Sequence, residues 1–291
     1  MTISGFTFVR NAVKYDYPVV ESIRSILPIV DEMVVSIGNG DDHTEDMIRS
    51  IHSPKLRIVY STWDDSLRSG GKVLAAETDK ALAHVNPSAD WAFCLQADEV
   101  VHEKDLDIIV EAAKKYLHKK EVEGFLFKYL HFYGTYDYVG DSRRWYDHEI
   151  RMIRNNKNIC SYKDAQGFRT KQNKKLCVKK MDAEMFHYGW VRHPQKQLEK
   201  LHNFYGLWNG HEYEIPKPDK KDHFDFSDNA DSLEIFKGTH PAVMQKRIAG
   251  KNWQVHFDVT KKRLSIKEHI LHRVEKITGK RLFNYENYRV I

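Results

Sequence analysis

From residue 5 to about residue 132 the chain alternates between two hydrophobic periods, and this alternation restricts its fold more than any other feature. Short apolar runs at Gly5 to Val9, Glu32 to Ile37, Leu56 to Tyr60 and Trp91 to Leu95 predict strands. Between them, Tyr17 to Leu27, Thr44 to Ile51 and residues 71 to 85 predict helices, the third with Leu74, Thr78, Ala81, Leu82 and Val85 on one face. Pro28 and Asn86-Pro87 stop two of these helices. Leu106, Ile109, Val110, Ala113, Tyr116 and Leu117 mark a further amphipathic helix, and Phe125 to Phe132 and Glu149 to Ile153 predict two more strands. Repeats of this kind build a mostly parallel sheet flanked by helices, with ligands beyond the carboxyl ends of the strands.

Polar residues gather where those strands end. Trp91 to Leu95 runs into Gln96-Ala97-Asp98-Glu99, an acidic pair able to hold a cation or to sit as a solvated turn. Arg10-Asn11 follows the first strand and Asp41-Asp42 the second. A carboxylate only accepts, which suits ribose hydroxyls or an imide N–H; the bland alternative is a cap for the helix starting near Thr44. Ser69-Gly70-Gly71-Lys72 precedes the third helix, where free N–H groups and a lysine can face an anion. Farther on stand Tyr162-Lys163-Asp164 and the run Phe186-His187-Tyr188. Between them, aromatic residues from Tyr129 to Tyr146, with Arg143-Arg144, suit either a sugar-binding cleft or plain core packing.

Taken in order, Phe8 to Asn11, Gly40 to Asp46, Gln96 to Glu99 and Phe186 to Arg192 resemble the GT-A fold glycosyltransferases of family 2, including those that build bacterial lipopolysaccharide and capsule. The resemblance implies an α/β, Rossmann-like GT-A domain over residues 1–193, with a nucleotide-binding half to about residue 100 and an acceptor half after it. Residues 194–291 would form a mainly helical C-terminal extension. It implies a nucleotide-diphosphate sugar as donor, contacted by Arg10, Asn11, Asp41, Asp42, Lys72, Gln96 and Asp98. It also implies Mn²⁺ or Mg²⁺ held by Asp98, Glu99 and His187, although Gln96 stands where the family usually has Asp. Asp164 takes the place of the base in an inverting transfer to a glycan or glycolipid hydroxyl, with Asp141, Asp147 and Glu184 as rivals.

Composition narrows the rest. At 291 residues and 41% hydrophobic content the chain can bury a large core. No run of about 18 apolar residues and no leader pattern is visible, so a cytoplasmic location is expected, at most peripheral to the inner membrane face. Cys94, Cys160 and Cys177 are too few and too scattered for a disulfide framework or a zinc site. The net charge of +5 comes in short basic clusters such as Lys261-Lys262-Arg263, which suit diphosphates and acidic lipid headgroups. No nucleic-acid motif accompanies them. A homodimer, a sugar-phosphate nucleotidyltransferase and a non-catalytic sugar-binding or nucleotide-binding protein stay open as alternatives.

Overall fold

The computed structural model describes residues 1–64, 66–67, 70–209 and 223–291. In chain order it contains β1 (Ile3–Val9), α1 (Val19–Ile26), β2 (Glu32–Gly38), α2 (Thr44–Arg49), β3 (Leu56–Ser61), α3 (Lys72–Ala83) and β4 (Trp91–Cys94). There follow β5 (Glu99–Val101), α4 (Leu106–Lys115), β6 (Gly124–Gly134), β7 (Tyr138–Gly140), β8 (His148–Arg154), β9 (Ile159–Tyr162), β10 (Gly167–Thr170) and β11 (Leu176–Val191). The chain closes with α5 (Pro194–Asn209), α6 (Phe226–Asn229), β12 (Leu233–Ile235), α7 (Gln245–Ala249), α8 (Ile266–Thr278) and β13 (Tyr288–Val290).

Strands β3, β2, β1 and β4 lie side by side and parallel. Antiparallel β8 then separates β4 from β6, and β11 runs parallel to β6. The chain steps outward from β1 to β3 and returns to place β4 on the other side of β1, so the order reverses between β1 and β4. In open α/β sheets that reversal parts the loops and leaves a crevice.

Both faces of the sheet are covered, which is why its central strands read as continuous apolar runs. Trp91 and Phe93 point to one side, with Val19, Ile23 and Ile26 of α1, Ile48 of α2 and Ile109 of α4. Ala92 and Cys94 point to the other, with Ala81 of α3 and Val85 just beyond it. The three cysteines are free thiols. Among the described residues no helix is long and apolar enough to cross a membrane.

Two features depart from the sequence reading. The expected strand ending at His187 is the end of a 16-residue strand, β11, joined on one flank by β6 and on the other by β5 and β13. Residues 194–291, expected as a mainly helical extension, carry α5 to α8 and also two short strands that join the strands before them: β12 pairs with β7 and β13 with β11, and α5 reaches the cleft described below. Short edge strands of three residues, two of them exposed, carry no periodicity to read. The stretch 210 to 232, which reads as a long connection or lid, lies outside the described residues as far as residue 222.

Candidate functional site

A two-lobed cleft opens at the β1/β4 reversal. The smaller lobe, about 120 Å³, is walled by Phe8, Arg10, Tyr15, Tyr17 and Trp63, and the larger, about 720 Å³, by Lys72, Tyr146, Asp164, His187, Trp190 and Gln197 among others. Gln96, Asp98, Leu74 and Lys200 line both lobes. Asp98 therefore sits at the junction.

Its neighbours come from two separate elements, α5 and β11. Lys200 of α5 reaches back to Asp98 Oδ2 at 3.4 Å and donates to the Gly189 carbonyl at 2.8 Å. His187 Nε2 faces Asp98 Oδ1 at 3.8 Å. Burial raises the Asp98 carboxyl, but Lys200 and its other cationic neighbours outweigh that and hold it at about 2. Burial and the nearby Arg192 pull the Lys200 ammonium down to about 7, and only Asp98 pulls it back.

The protonation of His187 follows from its hydrogen bonds. His131 stands opposite it on β6, in register on β11, and their Nδ1 atoms meet at 2.9 Å. His131 Nε2 lies 2.7 Å from the Tyr146 carbonyl, which can only accept, so His131 carries its proton there. Burial depresses both imidazoles and keeps them neutral at pH 7. Neutral His131 accepts at Nδ1, His187 donates from Nδ1, and the unprotonated Nε2 of His187 is left facing Asp98. This second imidazole fixes the tautomer of the first.

The backbone makes room for the pair. β11 gains one residue relative to β6 between His187 and Trp190, a bulge of the kind that re-aims side chains at sites. A Cβ at Gly189, inside that bulge, would lie 2.5 Å from His187 Nε2 and 2.9 Å from Asp98 Oδ2. Glycine is needed there for close approach.

A lone pair and a carboxylate that face one another with no proton between them suit a divalent cation. Among the described residues no third His, Cys, Asp or Glu joins them. Two such groups could hold a cation only together with phosphate oxygens and water, not cage it alone.

Glu99, expected as a third ligand, is used otherwise. It is fully buried, takes both a 2.8 Å bond from Arg151 Nε and a 2.8 Å bond from Arg151 Nη2, and accepts from Tyr129 Oη at 2.6 Å. A buried carboxylate with these donors is a satisfied structural ion pair. In β5 it lies directly across from His187, so it braces the strand that carries that imidazole.

Gln96, which lines both lobes as a donor contact would, also makes a second link. Its Nε2 donates to the Ala165 carbonyl at 3.3 Å, and Arg151 donates to the Gln166 carbonyl at 3.3 Å. Both bonds hold the tip of the β9/β10 hairpin, residues 163 to 166, where Lys163 (φ 55°) and Ala165 (φ 63°) flank Asp164 in the left-handed region. Non-glycine residues keep such a conformation only where the surroundings impose it. The hairpin presents Asp164 to the larger lobe, and burial pushes its carboxyl above the ordinary range. None of its rivals lines the cleft: Asp141 binds Lys262, Asp147 binds His148 and Glu184 binds Lys128.

The turn after β2 is placed elsewhere than expected. Asp41 pairs with Lys14 at 2.8 Å on the surface, and Asp42 accepts from the backbone of Lys14 and Thr44 at 2.8 and 3.0 Å. Asn11, at φ 56°, accepts from the Asp41 N–H at 2.9 Å. These three build a latch between the first two loops and line neither lobe. Arg10 does line the smaller lobe, its guanidinium 4.5 Å from the Trp63 ring centre. Lys72 lines the larger one; its neighbour Ser69 lies outside the described residues.

Lys200, Gln197, His131 and Trp63 escaped the sequence reading. Gln197 and Lys200 stand three residues apart on α5, a spacing that puts them on one face, but nothing in a Lys-rich helix singles out one lysine. Gln197 is 1% exposed and its Oε1 has no hydrogen-bond partner among the described residues.

No family model matches the chain, and no curated protein matches it. Among solved structures, S. aureus TarS aligns over 70% of this chain and 39% of its own length, at 14% identity and a TM-score of 0.39. S. aureus TarS 1-349 in complex with UDP aligns over 70% and 64%, at 12% identity and 0.36. Glucosyl-3-phosphoglycerate synthase from Mycobacterium tuberculosis, in complex with Mg²⁺ and UDP, aligns over 45% and 43%, at 20% identity and 0.29. The chain thus spans about two fifths of the length of TarS.

Proposed function

We propose that this chain is a glycosyltransferase that moves a sugar from a nucleotide-diphosphate donor to a hydroxyl of a glycan or lipid-linked acceptor, with inversion. The observation that carries the reading is the convergence of Asp98, the unprotonated Nε2 of His187 and the hairpin carboxylate Asp164 on one cleft at the strand-order reversal.

In this reading the nucleoside fills the smaller lobe against Trp63 and Arg10, and the diphosphate lies over Asp98 at the junction. A divalent cation, when bound by Asp98 and His187, would offset the charge that builds on the departing diphosphate. Lys200, held by the Gly189 carbonyl, adds an ammonium at the same place when it is protonated. Asp164 takes the proton of the acceptor hydroxyl as that oxygen attacks the anomeric carbon. Its raised affinity for protons brings a carboxylate closer to what a general base needs. The unpartnered amide oxygen of Gln197 suits a sugar hydroxyl. Trp190 supplies a flat apolar wall of the kind that sugar C–H faces cover.

Calorimetry of the nucleoside diphosphates UDP, GDP and dTDP and of CMP, with and without Mn²⁺, tests the donor half. One nucleotide should bind, more tightly with the metal. Asp164→Asn should then keep that affinity and lose transfer. Release of pyrophosphate from a nucleoside triphosphate instead would establish nucleotidyl transfer, and silence across the panel would end the proposal.

A further inference from the structure

The outward face of α8 is an apolar stripe set in positive charge. Ile266, Ile270 and Ile277 fall at i, i+4 and i+11, on one side of the helix, and are 82%, 60% and 78% exposed. Phe283, in the loop just past the helix, is 90% exposed. Three isoleucines in line on one helix face, with an exposed phenylalanine five residues past its end, exceed the scattered apolar residues of an ordinary surface.

Charge on this segment is one-sided. Residues 261–281 hold eight Lys or Arg and two Glu, whereas the whole chain carries a net +5, so the rest of the molecule is close to neutral. Both glutamates are committed within the protein. Glu268 closes the capping box with Ser265, and Glu275 turns inward to Arg143 at 2.8 Å. Lys267 is exposed beside the isoleucine stripe, and Arg273 is exposed along it between Ile270 and Ile277. The helix is fastened from beneath: Asp141 binds Lys262 at 3.1 Å and His272 at 3.5 Å, and Arg281 reaches Asp147 at 3.5 Å.

We propose that α8 and the Phe283 loop form a docking surface for an anionic lipid membrane, with the helix lying in the plane of the headgroups. A helix with an apolar stripe flanked by lysine and arginine is built to lie in that plane, apolar face in the acyl boundary and cations among phosphates. A second copy of this chain is the other candidate occupant. Packing two such helices would face like charges across the seam, so the charge favours lipid. The inference does not depend on the proposed transfer reaction, because docking is measured without turnover. Were both correct, the fastening of α8 to residues 141–147 would bring the membrane near Tyr146, a wall of the cleft.

Co-sedimentation of the full chain with vesicles of phosphatidylcholine and phosphatidylglycerol, against phosphatidylcholine alone, tests this. Binding should require the anionic lipid and weaken with salt. A triple variant, Ile266→Ser, Ile270→Ser and Ile277→Ser, keeps every charge and should lower the bound fraction by roughly tenfold. Lys267→Glu with Arg273→Glu should lower it as well. Because these side chains are exposed, circular dichroism and the thermal midpoint should not change. Equal binding by the triple serine variant would reduce the effect to surface adsorption and overturn the proposal. So would the absence of vesicle binding together with a dimer in light scattering that the serine variant dissolves.

Discussion

Two strand ends in this molecule look alike in sequence and behave differently. After β2 stands Asp41-Asp42, and after β4 stand Asp98 and Glu99. At the first, both carboxylates are consumed locally, by Lys14 and by the backbone that opens α2. At the second, Glu99 is consumed by Arg151 but Asp98 is left at the junction of two lobes. β2 lies between β1 and β3, so nothing parts the loops at its end, whereas β4 ends where the order reverses. An acidic pair at a strand end becomes a site only where the topology opens a crevice and another strand, here β11, supplies the complementary group.

The sharpest way to break this contrast is to neutralise one carboxylate at each end. Asp98→Asn should reduce sugar transfer by about 10³-fold, the scale of losing a group that stabilises developing charge. Asp41→Asn should leave kcat/KM within about twofold, as for an exposed surface pair. Similar losses in the two variants, measured by nucleotide release, would erase the distinction.

Gly189→Ala sharpens the claim that β11 completes the second site. The added methyl would enter the space between His187 Nε2 and Asp98 Oδ2, and neither buried group can retreat far. A misplacement of about 1 Å at a reacting site costs on the order of 10²-fold. The expected outcome is that loss in kcat, together with weaker Mn²⁺-dependent nucleotide binding. A fully active alanine variant would mean that the Asp98 and His187 groups do not act on the same ligand.

How much of this was open to sequence reading follows the range of the interactions. The central strands and helices were legible because burial on both faces writes apolar runs, and Pro28 and Pro87 punctuate them. Asp98 and His187 stood out because each follows or ends such a run, whereas Asp164 was suggested only by the family resemblance. The fate of Glu99 was not legible, since its partner Arg151 lies in β8, 52 residues away, and sequence alone does not bring the two strands together. Lys200 was hidden for the same reason. Gln96 is the instructive case: expected as a donor contact, it lines both lobes and also holds the Asp164 hairpin by a bond spanning 69 residues.

That role of Gln96 gives a smaller effect to look for. Gln96→Ala frees the Ala165 carbonyl but leaves the Arg151 bond to Gln166, so the hairpin should loosen rather than unfold. Loss of one neutral hydrogen bond is worth about 1 kcal/mol, or roughly fivefold to tenfold in rate. The fall should be in kcat, with the donor dissociation constant unchanged, because the hairpin presents the base and not the diphosphate site. A loss confined to donor affinity would return Gln96 to the phosphate site.

The smallest change is expected at the first strand end, and it is a change in stability. Asp42→Ala removes acceptors from the N–H groups of Lys14 and Thr44 and from the Thr44 hydroxyl, which in turn accepts from the Ala12 N–H at 2.7 Å. This chain of bonds ties the β1 loop to the start of α2, so its loss resembles the loss of a helix cap, about 1 kcal/mol. Urea unfolding should show that decrease in midpoint, while transfer and nucleotide affinity stay at the level of the unaltered chain. Should nucleotide affinity fall tenfold with the midpoint unmoved, the β2 end would be a donor contact after all, and topology would not be what separates the two acidic turns.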